Sequence, residues 1–328
     1  MNFLTPFARS ALPLLALLCL GAQAARAQSP ATAPALLSQS PIAAPAPMLA
    51  APLAPALVPF APPAPLPPVA GPAPAAPELP AWQRFAVAAP PADGRPTISF
   101  MFDDMGLNRP ESARAAALPG PLTLSWMPYA EDLARQVADG RAHGHETMLH
   151  MPMEPLGHTD PGPHALRTWL SASTNLAYLR AALDSVPGAV GLNQHEASVA
   201  SLSVPLMDLV MGELHARGML FVDSVTIPHS VALARARAAG LPAVARDVFL
   251  DNSSDPAAIR AQIAVTESIA RRYGHAIAIG HPRINTVDVL AQYLPTVAAR
   301  GFVLWPVSAT VAAQNRIVVS AAPAVTPR

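Results

Sequence analysis

With 328 residues, a formal net charge of zero and 21 basic residues that are all arginine, the chain lacks the basic excess and the basic clusters that nucleic-acid binding requires. Its single cysteine, Cys19, falls in the N-terminal apolar run, which excludes disulfides and thiol chemistry from a processed form. The forty prolines are unevenly spread and divide the chain before any pattern is read. Residues 1–27 read as an export signal: Arg9, an apolar run over 11–22, and small-residue cleavage sites at Ala22-Gln23-Ala24 and Ala25-Arg26-Ala27. The run is short for a membrane span, so cleavage and an exported, periplasmic protein are expected, with an uncleaved anchor as the alternative. Residues 28–94 are nearly all Ala, Pro, Leu, Ser and Val, with only Glu78 and Arg84 charged before Pro91. Such a segment lacks the means to build a core and is expected to be a disordered, extended spacer. That leaves 95–319 as one globular domain and 320–328 as a tail. Nothing after residue 95 is apolar for long enough to span a bilayer.

The domain opens on TISFMFDDMGLN, residues 97–108. β-Branched and aromatic residues predict a buried strand over 97–102 that delivers Asp103 and Asp104 to its end, just before a glycine turn. Two adjacent acids there repel one another and lose solvation, so the pair points to acid–base work or a metal. Its structural counterpart is an N-cap with a solvated neighbour. Helix and strand patterns then alternate: a helix from Pro110 to Leu118, strand 122–127, helix 130–143, strand 146–151, helix 176–185, strand 189–193, helix 204–217, strand 220–223, helix 230–239. They continue with strand 243–250, helix 256–273, strand 275–279, helix 286–300 and strand 302–306. Strands separated by helices of this length predict parallel strands and an α/β fold. The number of units favours a (β/α) barrel of about seven strands over an open sheet.

Polar residues collect where these strands end: Asp103-Asp104, His150, Asn193-Gln194-His195, Asp223-Ser224, Asp247 with Asp251-Asn252, and His281. In parallel α/β folds those ends share one face, so six agreeing ends predict one polar site. His150 precedes Met151-Pro152-Met153-Glu154-Pro155, a rigid turn suited to a metal ligand. Glu154 would be about 13 Å away in a continued strand and could share an ion with His150 only if the prolines bend the chain. His195, between amides and a carboxylate, has the partners a ligating histidine needs. Asp223 and His281 are candidates for an orienting carboxylate and a general acid.

The residues also carry a family resemblance, in FDDMGLN (102–108), LPGPLTLSWMPYA (118–130), GHETMLHMPMEP (144–155), VPGAVGLNQHEAS (186–198), GMLFVDSVT (218–226), ARDVFLDN (245–252), AIAIGHP (276–282) and LWPVS (304–308). In this order they resemble the divergent polysaccharide deacetylases, relatives of the chitooligosaccharide and polysaccharide deacetylases, over nearly the whole of 96–308. The resemblance implies a distorted (β/α) barrel, a divalent metal, usually zinc, and removal of acetyl groups from an envelope or exported polysaccharide or oligosaccharide. It makes Asp103 the base, Asp104 and His150 metal ligands, His281 the general acid and Asp223 the supporting acid. The family's second ligand histidine in the GHETMLH segment would fall at Glu154, so the third ligand is His195 or Glu154. Glu196-Ala197 replaces the family's Met-Gly after that histidine, and the deacetylases' arginine motif is missing, with Arg246 as a possible substitute. These departures leave open a non-catalytic envelope factor that binds glycan or protein on the same barrel.

Overall fold

Parallel strands, all but β6 and β7 joined through helices, build a curled sheet in the computed structural model, which describes residues 78–315. The export signal, residues 28–77 of the spacer and the tail 320–328 lie outside the described residues. In chain order the elements are α1 (Ala81–Arg84), β1 (Thr97–Met105), α2 (Arg109–Ala116), β2 (Thr123–Trp126), α3 (Leu133–Ala142), β3 (Glu146–Met153), α4 (Ala172–Ser185), β4 (Gly191–Glu196) and α5 (Val204–Ala216). They continue with β5 (Leu220–Asp223), α6 (Ala232–Ala238), β6 (Ala243–Ala245), β7 (Val248–Phe249), α7 (Pro256–Tyr273), β8 (His275–Gly280), α8 (Ile284–Tyr293), β9 (Val303–Leu304) and α9 (Val307–Gln314). The caps that set these bounds are chemical. Asp255 accepts from Ala257 N ahead of Pro256 at the start of α7, and Gly274 ends that helix at φ 84°.

The strand order is β6-β5-β4-β3-β2-β1-β8-β7, with β9 added beside the start of β1, and every pairing is parallel. The expected strand over 243–250 is broken at Arg246-Asp247 into β6 and β7, which take opposite ends of that order. Arg246 N donates to Asp223 O beside β5, and the next amide, Asp247 N, donates to Ile277 O in β8, both at 2.9 Å. Two consecutive residues thus join the two edges, and the sheet curls into the distorted barrel that the strand–helix alternation predicts.

Strands β1, β2, β3 and β5 are buried almost throughout, as strands covered on both faces must be. Inside the barrel, Met101, Met148, Val190, Leu220, Val222, Val244, Ile277 and Ile279 form one apolar layer, closed from below by Val307, Val311 and Ala312 of α9 and by Trp82 of α1. Neither plug is predicted from periodicity. Helix α9, VSATVAAQ, mixes small polar and apolar residues without a stripe, and Trp82 stands in the composition-biased segment assigned to the spacer. Residues 78–94 are instead held on the domain: Trp82 is buried, its N–H donates to Gly218 O, and Trp305 Nε1 donates to Pro90 O. Helix α8 stops earlier than expected, because Pro295 allows only a short 3₁₀ turn, Leu294–Thr296. Among the described residues no helix is long and apolar enough to cross a membrane.

Candidate metal centre

Side chains in a regular strand alternate between faces, so two consecutive aspartates cannot both point into a barrel mouth without a local fault. The fault is a β-bulge. Between β1 and β2, Phe102 pairs with Leu124 but Met105 with Trp126, so β1 carries one extra residue. Asp104 takes it up at φ 56°, a left-handed conformation that aspartate tolerates better than most residues. The turn that follows needs glycine twice over: Gly106 has φ 98°, and a Cβ there would stand 2.5 Å from that of Ala130.

The bulge brings Asp104 against two histidines from neighbouring strands, His150 on β3 and His195 on β4. Asp104 Oδ1 lies 2.8 Å from His195 Nδ1 and 3.4 Å from His150 Nε2, and the two ring nitrogens are 3.3 Å apart. These three residues each offer a ligand atom within 4.8 Å of the others. Atoms about 2.1 Å from a tetrahedral ion stand about 3.4 Å from one another, so the spacing fits zinc or a similar divalent cation. One further observation agrees. Asp104 Oδ1 is buried yet has no aligned hydrogen bond, and three lone-pair atoms converging on one point suit an ion better than a hydrogen-bond network. Burial works against the Asp104 charge, but the nearness of His150 and His195 outweighs it and holds the carboxyl well below its usual range.

Asp103 is buried beside this triad, 3.6 Å from His150 Nε2. Burial raises its proton affinity, against the lowering by His150, His281 and the Asn193 amide. His281, just past β8, stands across the mouth with Nε2 3.9 Å from Asp104 Oδ2. Its Nδ1 is 2.9 Å from Asp251 Oδ1, and Asp251 Oδ2 accepts from His281 N and Thr286 Oγ1. Burial alone would push the His281 pKa down, but the Asp251 carboxylate reverses this and raises it. Asp103, Asp104, His150, His195 and His281 all line one cleft of about 690 Å³, whose far wall carries Arg246, Phe249 and Arg283.

Two expected residues stand elsewhere. Asp223, expected as an orienting carboxylate and the supporting acid of the site, spends its acceptors on the wall after β5, taking Gln194 Nε2, Val225 N, Ser230 Oγ and Leu233 N. The carboxylate against His281 is Asp251, thirty residues from it in sequence; the polar end of strand 243–250 was its only signal. Glu154 accepts from Thr168 N and Thr168 Oγ1, both at 2.6 Å, and so anchors the long loop between β3 and α4. His195, not Glu154, is the group facing Asp104 and His150. Arg246 donates to the carbonyls of Ser224 and Val225 and bridges the seam, without an ion pair to Asp103. His145, buried between Leu122 N and Ala116 O, is a packing residue. Asn193 was visible only as one of several polar residues at a strand end; its amide touches both Asp103 and His150.

Residues 100–311 match the family model described as divergent polysaccharide deacetylase. The uncharacterized protein YibQ of Escherichia coli (strain K12) is 33% identical over 208 residues, which cover 63% of this chain and 65% of that protein, so the chain spans just under two thirds of that relative. An uncharacterized protein of Haemophilus influenzae is 32% identical over 193 residues, covering 59% of this chain and 69% of its own length. The crystal structure of an uncharacterized protein from Agrobacterium tumefaciens C58 superposes with a TM-score of 0.67 at 26% identity, over 71% of this chain and 99% of that one.

Proposed function

Because the chain belongs to the divergent polysaccharide deacetylase family, we propose that it is a metal-dependent hydrolase that removes acetyl groups from an envelope or exported polysaccharide, acting in the periplasm. The observation that carries this reading is the convergence of Asp104, His150 and His195 on one point, with Asp103 beside it and His281 opposite. When bound, a divalent ion, zinc by family resemblance, supplies Lewis acidity towards an acetyl carbonyl and acidifies water.

The chain's own groups do the rest. Asp103 accepts the proton of the attacking water, and burial equips it for this by raising its proton affinity. His281 gives a proton to the departing amine or alcohol from Nε2, while Asp251 holds Nδ1 and keeps the ring in its acid form to a higher pH. Asp104 stays ionised throughout. Phe249, packed 5.3 Å from the His281 ring, and Arg283 form the wall against which a sugar would lie. The test is acetate release from acetylated glycans by the zinc-loaded protein, with Asp103→Ala as the control. Release that depends on Asp103 supports the proposal, and equal background release by both proteins refutes it.

One observation favours a second reading, a glycan- or protein-binding envelope factor. Asp103 is hydrogen-bonded by an amide and has histidines and Asp104 beside it but no arginine ion pair, since Arg246 is committed to main-chain carbonyls. Binding of acetylated glycan without acetate release would select that reading.

A further inference from the structure

Asn193 is fully buried and lies between the proposed base and a proposed metal ligand. Its Nδ2 is 2.9 Å from each of Asp103 Oδ1, Asp103 Oδ2 and Ser224 Oγ. On its other side, Oδ1 accepts from Ser125 Oγ and is 3.1 Å from His150 Nδ1. The five residues come from five successive places round the sheet: Asp103 on β1, Ser125 on β2, His150 on β3, Asn193 on β4 and Ser224 just after β5.

Donor and acceptor polarity runs through this cluster in one direction. A carboxylate offers only lone pairs, so the amide must turn its NH₂ group towards Asp103. The opposite orientation would set the amide oxygen against both carboxylate oxygens. With the NH₂ committed, Oδ1 faces His150, and Nδ1 of His150 must carry the ring proton to donate to it. A neutral imidazole protonated at Nδ1 has its lone pair on Nε2, and Nε2 is the atom aimed at Asp104 and His195.

We propose that Asn193 is a positioning residue that couples Asp103 to the metal centre: the carboxylate sets the amide, the amide sets the His150 tautomer, and only that tautomer offers Nε2 as a ligand. The inference rests on reading Asp104, His150 and His195 as a metal site, and it adds that the base helps to assemble that site before any reaction. Asp103 thereby has a structural task separate from proton transfer.

Zinc affinity, measured on the full chain by competition with a chromophoric chelator, tests the relay, together with the His150 tautomer read from ¹⁵N shifts of the metal-free protein. Asn193→Leu removes both halves of the amide and is expected to weaken zinc binding by about 10- to 100-fold, with His150 shifting away from the Nδ1–H form. The decisive variant is the exchange Asp103→Asn combined with Asn193→Asp. It restores the polarity, because the amide now at 103 donates to a carboxylate at 193, which accepts from His150 Nδ1. This double variant is expected to recover zinc affinity to within about threefold of the wild type and to restore the Nδ1–H tautomer, while releasing no acetate. Either single exchange alone is expected to bind zinc more weakly than the pair. Wild-type affinity and tautomer in Asn193→Leu would overturn the proposal, as would a double exchange no better than its singles. Should Asn193→Leu fail to fold, the exchange variants alone decide. A wild type that binds zinc but releases no acetate would count against the hydrolase reading and leave this relay standing. A wild type that binds no zinc would overturn the ligand part of the relay.

Discussion

Removing the indole that plugs the base of the barrel is expected to destabilise the whole domain without touching the cleft. Trp82 is 3% exposed and belongs to the interior layer with Met101, Met148, Val307 and Val311. Trp82→Ala would leave a cavity that a closed barrel cannot collapse into, for a loss of about 3–5 kcal/mol. For a domain of 150–250 residues each kcal/mol moves the midpoint by about 2–4 °C, so the expected fall in Tm is roughly 6–20 °C. A chain starting at residue 95 also loses Ala81 and the Trp305–Pro90 hydrogen bond, and is expected to fall further. Thermal unfolding followed by near-ultraviolet circular dichroism measures this, with zinc affinity well below the transition as the control. A shift under about 3 °C for Trp82→Ala would refute the account of α1 as part of the barrel's floor.

The remaining expectations concern the site and its pH behaviour. His195→Ala should abolish stoichiometric zinc binding while Glu154→Gln retains it, as inductively coupled plasma analysis of dialysed protein would reveal; the reverse order would return the third ligand to Glu154. Asp251→Asn removes the charge that raises His281, so the alkaline limb of acetate release should move to lower pH, and an unmoved limb would remove His281 from the acid role. Glu146, fully buried beneath the barrel, has its pKa raised by burial against bonds from Ser308 and Thr123. A carboxyl raised on folding binds more protons in the native state, so its contribution is present below the unfolded value and is lost as pH rises through the folded one. Glu146→Gln should therefore raise Tm more at pH 8 than at pH 4, and an equal shift at both would refute this sign.

Strand ends were the most legible part of the sequence, because parallel strands bring their C-terminal ends to one face, and Asp103, Asp104, His150, His195 and His281 all reached one cleft. The bulge was not legible. Adjacent aspartates look alike in sequence, and only the extra residue opposite β2 separates the inward Asp103 from the left-handed Asp104. Asp251 was passed over for Asp223 because both end strands, and which of them meets His281 depends on the break at Arg246-Asp247 that no periodicity announces. Trp82 and α9 were hidden for the opposite reason. Their sequences carry little pattern, and their burial is decided by the hole they fill.

That break has a consequence for the cleft. β6 pairs with β5 and β7 with β8, so the two ends of the strand order meet at the consecutive residues Arg246 and Asp247, whose amides donate to Asp223 O and Ile277 O. The wall bearing Arg246, Val248 and Phe249 is therefore where the two ends of the sheet meet, like the clasp of a bracelet. The opposite rim carries Asp104 at the bulge of β1 and His150 and His195 on the paired strands β3 and β4. Asp104, His150 and His195 thus stand away from the clasp, whereas the His281–Asp251 pair stands beside it, with Phe249 of β7 packed on the His281 ring.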